Sequence, residues 1–327
     1  MARPLKTFHE FVGQRRAVQH TTRLIDGAKK QGKPCPSLQV VAPPGFGKTS
    51  FADAVATEYG SDLHVLLAGD DTRAADVCTI LSEVKHADVV FIDEAHSLRR
   101  DAQQVLYLAL DQNKVPTLSE GRLDRSQFKS VASFTLILAT NEPGSLKRAL
   151  RSRLTPIEFD PYSMAELKVI VERVALKDGV EITPQAARRL AEVAQGSPRH
   201  ICRRVEALRL FWPGLSKLGQ DHVEDLLASE GVDHRGFWPH QRLYLFTLAA
   251  SPGSICSLER LAIKLGCDPA HIRQDIEPFL IDQGLVEPSS GRGRMLTATG
   301  LAIVAEIAAE KVVVAAVETT VQEGSQC

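Results

Sequence analysis

The residues best suited to chemistry come in one short run, Pro43-Pro44-Gly45-Phe46-Gly47-Lys48-Thr49. Glycines let a backbone turn tightly and bring several N–H groups toward one anion. A lysine directly after them can reach the outer phosphates of a nucleoside triphosphate, and the next hydroxyl suits Mg²⁺. A β-branched run at 38–41 leads into this turn, and an apolar-periodic stretch at 49–59 follows it. Strand, loop and helix in that order put a helix N-terminus behind the bound phosphate, where its dipole favours negative charge. Ala42 stands where the pattern asks for glycine. It adds only a methyl group, so a slightly altered loop is expected.

A second run, Val89-Val90-Phe91-Ile92-Asp93-Glu94, is an apolar strand that ends in two carboxylates. By itself such an ending is a common solvated turn. Some forty residues after a phosphate loop it means more, because both signals then fall at the C-terminal edge of one sheet. Asp93 is expected to hold Mg²⁺ and Glu94 to polarise an attacking water. A third apolar strand ends in Leu138-Ala139-Thr140-Asn141. Asn141 could orient that water against the γ-phosphate.

The elements that must carry these residues can be read from periodicity. Strand-like runs lie at 38–41, 64–68, 88–92, 134–139 and 157–159, with helical patterns between several of them. This predicts an α/β domain, a parallel sheet covered on both faces. The polar, turn-rich stretch at 110–133 reads as an inserted hairpin or loop. After Pro161 the strand signal ends and helical periods run through 164–176, 184–194, 198–211 and 221–228, punctuated by Gly179, Gly196 and Gly214. Beyond a hinge-like segment at 230–239, helices are expected at 241–250, 258–265 and 269–283. The last is opened by Asp268-Pro269. A short hairpin around Arg292-Gly293-Arg294 follows. Three helices and a hairpin outline a winged helix. The expected division is 1–160, 161–230, 231–311 and a tail at 312–327.

The three chemical runs, in this order, resemble the AAA+ ATPases. That resemblance implies an AAA+ P-loop NTPase domain, an all-helical lid domain and a C-terminal winged-helix domain, with ATP and Mg²⁺ as cofactors. Leu150-Arg151-Ser152-Arg153 is similar to the segment that bears the family's arginine finger. Arg153 is the first choice for the finger and Arg151 the second, acting on nucleotide held by a neighbouring subunit. Gly196-Ser197-Pro198-Arg199 resembles the second sensor, with Arg199 on the γ-phosphate. Within the AAA+ proteins the chain is most similar to the RuvB family of Holliday-junction branch migration motors, over nearly its whole length. Arg3-Pro4, Phe11-Val12-Gly13-Gln14, Phe91-Ile92-Asp93-Glu94-Ala95-His96, Tyr162, Glu277-Pro278-Phe279-Leu280 and Arg292-Gly293-Arg294 carry the likeness.

The resemblance implies a DNA helicase-type ATPase of recombination and repair, working as a hexameric ring on duplex or four-way DNA. Its nucleotide contacts would be Arg3, Gly45, Gly47, Lys48, Thr49, Ser50, Tyr162 and Arg199. The catalytic set would be Lys48, Asp93, Glu94, Asn141 and Arg153, with Thr49 and Asp93 on the metal. Arg292 and Arg294 would hold DNA phosphates without reading sequence. A RuvA-like junction-binding protein would dock on the hairpin region. There this chain is markedly polar, and Tyr107-Leu108-Ala109-Leu110-Asp111-Gln112 keeps one acid where the family has two. A different partner, or a role as a nucleotide-switched loader or mobile-element helper without helicase activity, stays open.

Composition limits the alternatives. Lys+Arg 39 against Asp+Glu 40 gives a formal charge of -1, so DNA must be met by local basic patches rather than bulk charge. A hydrophobic share of 44% with 24% charged residues excludes wholesale disorder. No apolar run approaches the ~20 residues of a membrane span. Residues 1–11 hold no secretory core. The six cysteines form no C-x-x-C pair, which excludes a zinc ribbon. A soluble cytoplasmic protein is expected.

Overall fold

The computed structural model describes residues 7–119, 122–289, 291 and 293–309. Arg3, Arg292 and the tail at 312–327 lie outside them. The chain divides into two compact units, Met1–Gly219 and Gln220–Cys327.

In the first unit β1 (Leu38–Val41), β2 (Leu63–Leu67) and β3 (Val89–Asp93) are followed by an antiparallel hairpin, β4 (Lys114–Ser119) and β5 (Arg122–Ser130). β6 (Thr135–Thr140) and β7 (Thr155–Glu158) come next. Five of these make one parallel sheet in the order β2-β3-β6-β1-β7. Helices α1 (Arg15–Gln31), α2 (Lys48–Tyr59), α3 (Ala74–Glu83), α4 (Arg100–Gln112) and α5 (Arg148–Arg151) complete the layer architecture.

Alternation along the central strands explains the two covered faces. Val90, Ile92, Leu136 and Leu138 pack with Val77, Leu81 and Leu106 of α3 and α4. Their neighbours Val89, Phe91, Ile137 and Ala139 pack instead with Ile25, Phe51 and Val55 of α1 and α2. Every residue of β6 is buried, as a strand covered on both sides must be. Asp93 and Asn141 therefore stand at the ends of strands covered on both sides.

The hairpin grows directly from α4. Asn113 alone separates Gln112 from Lys114, in the left-handed conformation at φ 51°. The Val131 N–H donates to the Asn113 carbonyl at 2.9 Å and closes the base. Val115 and Val131 are buried in the same cluster as Leu106 and Ala109.

The remainder of the first unit is helical: α6 (Met164–Lys177), α7 (Pro184–Val193) and α8 (Pro198–Phe211). Ser163 and Glu166 cap α6 reciprocally. Thr183 with Pro184 opens α7, and Pro198 opens α8. The expectation that strands end after Pro161 needs correction. β8 (Glu181–Ile182) and β9 (Lys217–Leu218) pair in parallel. Two residues are too few to leave a periodic signature, and the pairing joins segments distant in sequence.

The second unit contains α9 (Gln220–Ser229), α10 (Pro239–Ala249), β10 (Ile255–Ser257), α11 (Leu258–Leu265), β11 (Val286–Pro288) and β12 (Gly293–Leu296). The antiparallel order is β10-β12-β11, one strand more than the expected two. The helix expected over 269–283 is interrupted. Residues Pro269–His271 and Glu277–Asp282 are α-helical, and Ile272–Ile276 form a π-helical turn between them. Pro278 supplies the reason. It has no N–H to give and its ring crowds the carbonyl one turn back, so the preceding turn widens.

Candidate active site

β1 delivers the chain into a turn whose backbone only glycine adopts freely. Gly45 and Gly47 have φ of 81° and 92°. Gly47 precedes α2, whose first residue is Lys48. The N-terminal N–H groups of that helix thus sit at the loop. Ala42 does not disturb this arrangement. It is buried at 2% exposure in the core under α2, and its N–H donates to the Thr140 carbonyl at 3.2 Å. Lys48 is only 6% exposed. Its Nζ donates to the carbonyls of Ala42 (3.1 Å) and Pro43 (3.3 Å). Burial pushes its pKa down, Asp93 and Glu94 push it up, and Arg199 again pushes it down. The ammonium therefore faces two carboxylates and a second cation.

Asp93, at the end of β3, accepts from the Thr49 hydroxyl at 3.5 Å through Oδ2. Its Oδ1 accepts from the Glu94 N–H at 2.9 Å. Glu94 itself has φ 51°. A non-glycine residue held in the left-handed region is a strained placement of the kind that gathers at active sites. His96 was not singled out from sequence. Its Nδ1 lies 3.5 Å from Glu94 Oε2 and 3.4 Å from Thr140 Oγ1. It thus bridges the ends of two strands that the sequence reading treated separately. Asn141 follows the last residue of β6, and its buried Oδ1 has no hydrogen-bond partner. It is not among the residues lining the cleft.

The cleft holds about 1190 Å³. One wall is the loop with Lys48, Thr49, Ser50, Asp93 and Glu94; the opposite wall comes from α6 and the start of α8. Phe11, Val12, Tyr162, Ile170 and Val174 give it an apolar end, suited to a base. The Tyr162 hydroxyl donates to the Phe46 carbonyl at 3.1 Å, and burial raises its pKa to about 12. Arg199 stands against the loop, with its Cβ 2.9 Å from where a Cβ on Gly45 would lie. Ser197 Oγ comes within 2.5 Å of the same point. The run Gly196-Ser197-Pro198-Arg199 gives Ser197 no role of its own, yet its hydroxyl packs against the loop. Its only signal was its place beside the sensor arginine.

Comparison with known proteins fits this geometry. Residues 2–158 match the model of the Holliday junction DNA helicase RuvB P-loop domain, and residues 234–305 match the RuvB C-terminal winged helix domain. A protein of Synechococcus sp. (strain CC9902), named Holliday junction branch migration complex subunit RuvB, is 32% identical over 309 residues. That match covers 93% of this chain and 89% of the relative. The protein of the same name in Mycobacterium avium (strain 104) is 34% identical over 298 residues, covering 90% and 85%.

The chain belongs to the RuvB family.

It is accordingly a nucleotide-binding AAA+ motor ATPase. The solved Thermotoga maritima RuvB Holliday junction branch migration motor superposes with a TM-score of 0.78 at 28% identity, covering 90% of this chain and 95% of that one. Two features of this RuvB-family chain lie outside the cleft. Arg153 is not among the cleft-lining residues. Its guanidinium pairs with Asp111 and covers the ring of Tyr107. Arg151 is exposed beside it.

Arg294, expected on DNA, is turned inward. Its Nε lies 3.0 Å from Oε1 of Glu277, which is only 2% exposed and also accepts from the Tyr244 hydroxyl at 2.8 Å. Burial and the Glu277 charge push the Tyr244 pKa upward. In this state Arg294 braces the wing from within. The tie between Glu277 and Arg294 was invisible in a run read only as a family likeness.

Among the described residues no helix is long and apolar enough to cross a membrane, and no group of three His, Cys, Asp or Glu is set to hold a metal. The pair Thr49 and Asp93 fits an ion that brings its other ligands with it, as Mg²⁺ does when it keeps waters and phosphate oxygens.

Proposed function

We propose that this chain is an ATP-driven motor that moves duplex DNA at four-way junctions; its relatives are named as subunits of Holliday junction branch migration complexes. One observation carries the reading. A phosphate loop, a strand-end acid pair and a lid arginine share one cleft, in a chain that also bears a winged helix.

In this reading Gly45, Gly47, Lys48, Thr49 and Ser50 cradle the triphosphate and Phe11 and Tyr162 flank the base, while the family likeness assigns Arg3 to the nucleotide as well. Mg²⁺, held by Thr49 and Asp93, would neutralise charge on the β- and γ-oxygens. Glu94 accepts a proton from water as its oxygen attacks the γ-phosphorus, and the bridging oxygen leaves with ADP. Asn141, assigned to that water by the family likeness, would have to turn toward the cleft to align it. The exposed Arg153 serves the neighbouring subunit's nucleotide, which requires an oligomer, and the family suggests a hexameric ring. Leu210 and Phe211, adjacent at the end of α8 and 75% and 53% exposed, leave apolar surface for such an assembly. Arg199 couples the lid, 161–230, to nucleotide state, and the wing at 231–311 grips DNA backbone through Arg292. A RuvA-like protein on the β4–β5 hairpin is the partner this assignment calls for, and the cytoplasm is where such a motor meets its DNA.

Steady-state ATP hydrolysis with no DNA, linear duplex and a synthetic four-way junction tests the reading. Turnover should rise on duplex or junction, and Arg153→Ala should lower it by about 10³–10⁵-fold, the usual worth of an arginine finger. Flat, slow turnover in every arm, with nucleotide-dependent assembly, would make the protein a switch rather than a motor.

A further inference from the structure

The arginine at 153 does not hang free. Its backbone is pinned between two buried neighbours, Leu150 and Leu154, and its N–H donates to the Leu150 carbonyl at 3.0 Å. Its side chain is held from α4, where Tyr107 and Asp111 stand four residues apart on one helical face. The guanidinium donates to the Asp111 carboxylate and lies over the Tyr107 ring, 5.6 Å from its centroid. The Arg153 side chain remains 44% exposed.

Asp111 is poorly placed for any purely helical purpose. It sits in the last turn of α4, where unpaired carbonyls make the potential negative and disfavour a carboxylate. No basic residue of α4 shares that turn. What meets the carboxylate is Arg153, 42 residues further along the chain. A guanidinium has five N–H donors in a rigid plane. A carboxylate can engage two of them and an aromatic ring one face, which leaves donors open at the exposed edge.

We propose that Asp111 and Tyr107 are positioning residues for Arg153, fixing the plane of its guanidinium so that its unused donors are presented to nucleotide on the neighbouring subunit. The proposal rests on the reading of Arg153 as a finger acting in trans. A long arginine side chain loses rotamer freedom when it engages a phosphate. One already held has less to lose, so the benefit falls on the chemical step and not on ATP binding.

The test uses full-length Asp111→Asn, Asp111→Glu, Tyr107→Leu, Arg153→Ala and the double variant Asp111→Asn/Arg153→Ala. ATP hydrolysis is measured on saturating duplex, with kcat and KM separated. Asp111→Asn should lower kcat about 10-fold with KM for ATP within about 2-fold, the mark of an interaction realised in the transition state. Asp111→Glu should recover most of that loss, and Tyr107→Leu should cost less than Asp111→Asn. The double variant should be no slower than Arg153→Ala alone, because the two residues act as one unit. Full kcat in Asp111→Asn, beside a crippled Arg153→Ala, overturns the positioning role and leaves the finger standing. Losses that multiply in the double variant overturn it too. Normal turnover in Arg153→Ala removes the finger and this proposal together.

Discussion

Two charged side chains, Lys48 and Glu277, are buried to almost the same degree, at 6% and 2% exposure, yet they are used in opposite ways. Lys48 rests on two loop carbonyls and faces Asp93, Glu94 and Arg199 across a cleft. Glycine backbone keeps these charges apart, so a ligand can enter among them. Glu277 is closed on its own chain by Tyr244 and Arg294. The buried charge of Lys48 is held ready for binding, and that of Glu277 is consumed as a brace. Residue type alone does not distinguish these uses; backbone geometry does.

The contrast can be broken most severely in the cleft. Glu94→Gln should reduce hydrolysis by about 10²–10⁴-fold, the usual contribution of a general base, while nucleotide binding measured by fluorescence titration persists. Normal turnover would sink the assignment of Glu94. Next comes the brace. Glu277→Ala leaves the half-buried Arg294 and the Tyr244 hydroxyl without their acceptor and should cost about 1–3 kcal/mol, read as a lower urea midpoint for the winged-helix unit. ATP hydrolysis without DNA should be unchanged; if it collapses with the wing, the two units are not independent.

Gly45→Ala comes third. It asks a Cβ to occupy space taken by Ser197 and Arg199 and to adopt φ 81°. The strain of about 1–3 kcal/mol should appear as weaker ATP affinity, roughly ten- to a hundredfold. The smallest effect belongs to Arg292→Ala. It should lower the slope of log affinity against log salt by about 1 without altering the melting temperature. Arg294→Ala should instead destabilise the unit, which separates a phosphate contact from a brace.

Much of the cleft was legible because its chemistry constrains the backbone. A phosphate needs converging N–H groups, so glycines must precede Lys48. The apolar runs at 89–92 and 135–139 are strands that place Asp93 and Asn141 at one sheet edge. The two covered faces followed from the same runs, since the four inner positions of β6, Leu136 to Ala139, are all apolar. What stayed hidden depends on contacts distant in sequence. His96 meets Thr140 across 44 residues, and nothing in Ala95-His96-Ser97 announces it. Arg294 reads from sequence as a surface phosphate ligand, and only the fold sets it against Glu277. Asp111 was noted as a departure in an acidic pair, but its partner could not be named from spacing. The π-helical turn at Ile272–Ile276 was foreshadowed only by Pro278, a residue compatible with simply ending the helix.

The single left-handed residue between α4 and the hairpin gives the molecule a handle without slack. Asn113 is the whole connection, its carbonyl is tied to Val131, and both hairpin strands are rooted in the core that seats α4. A flexible tether would absorb a tug at the hairpin tip. With one tied residue in its place, a pull on the hairpin would reach the final turn of the helix, two residues from where Asp111 grips its arginine.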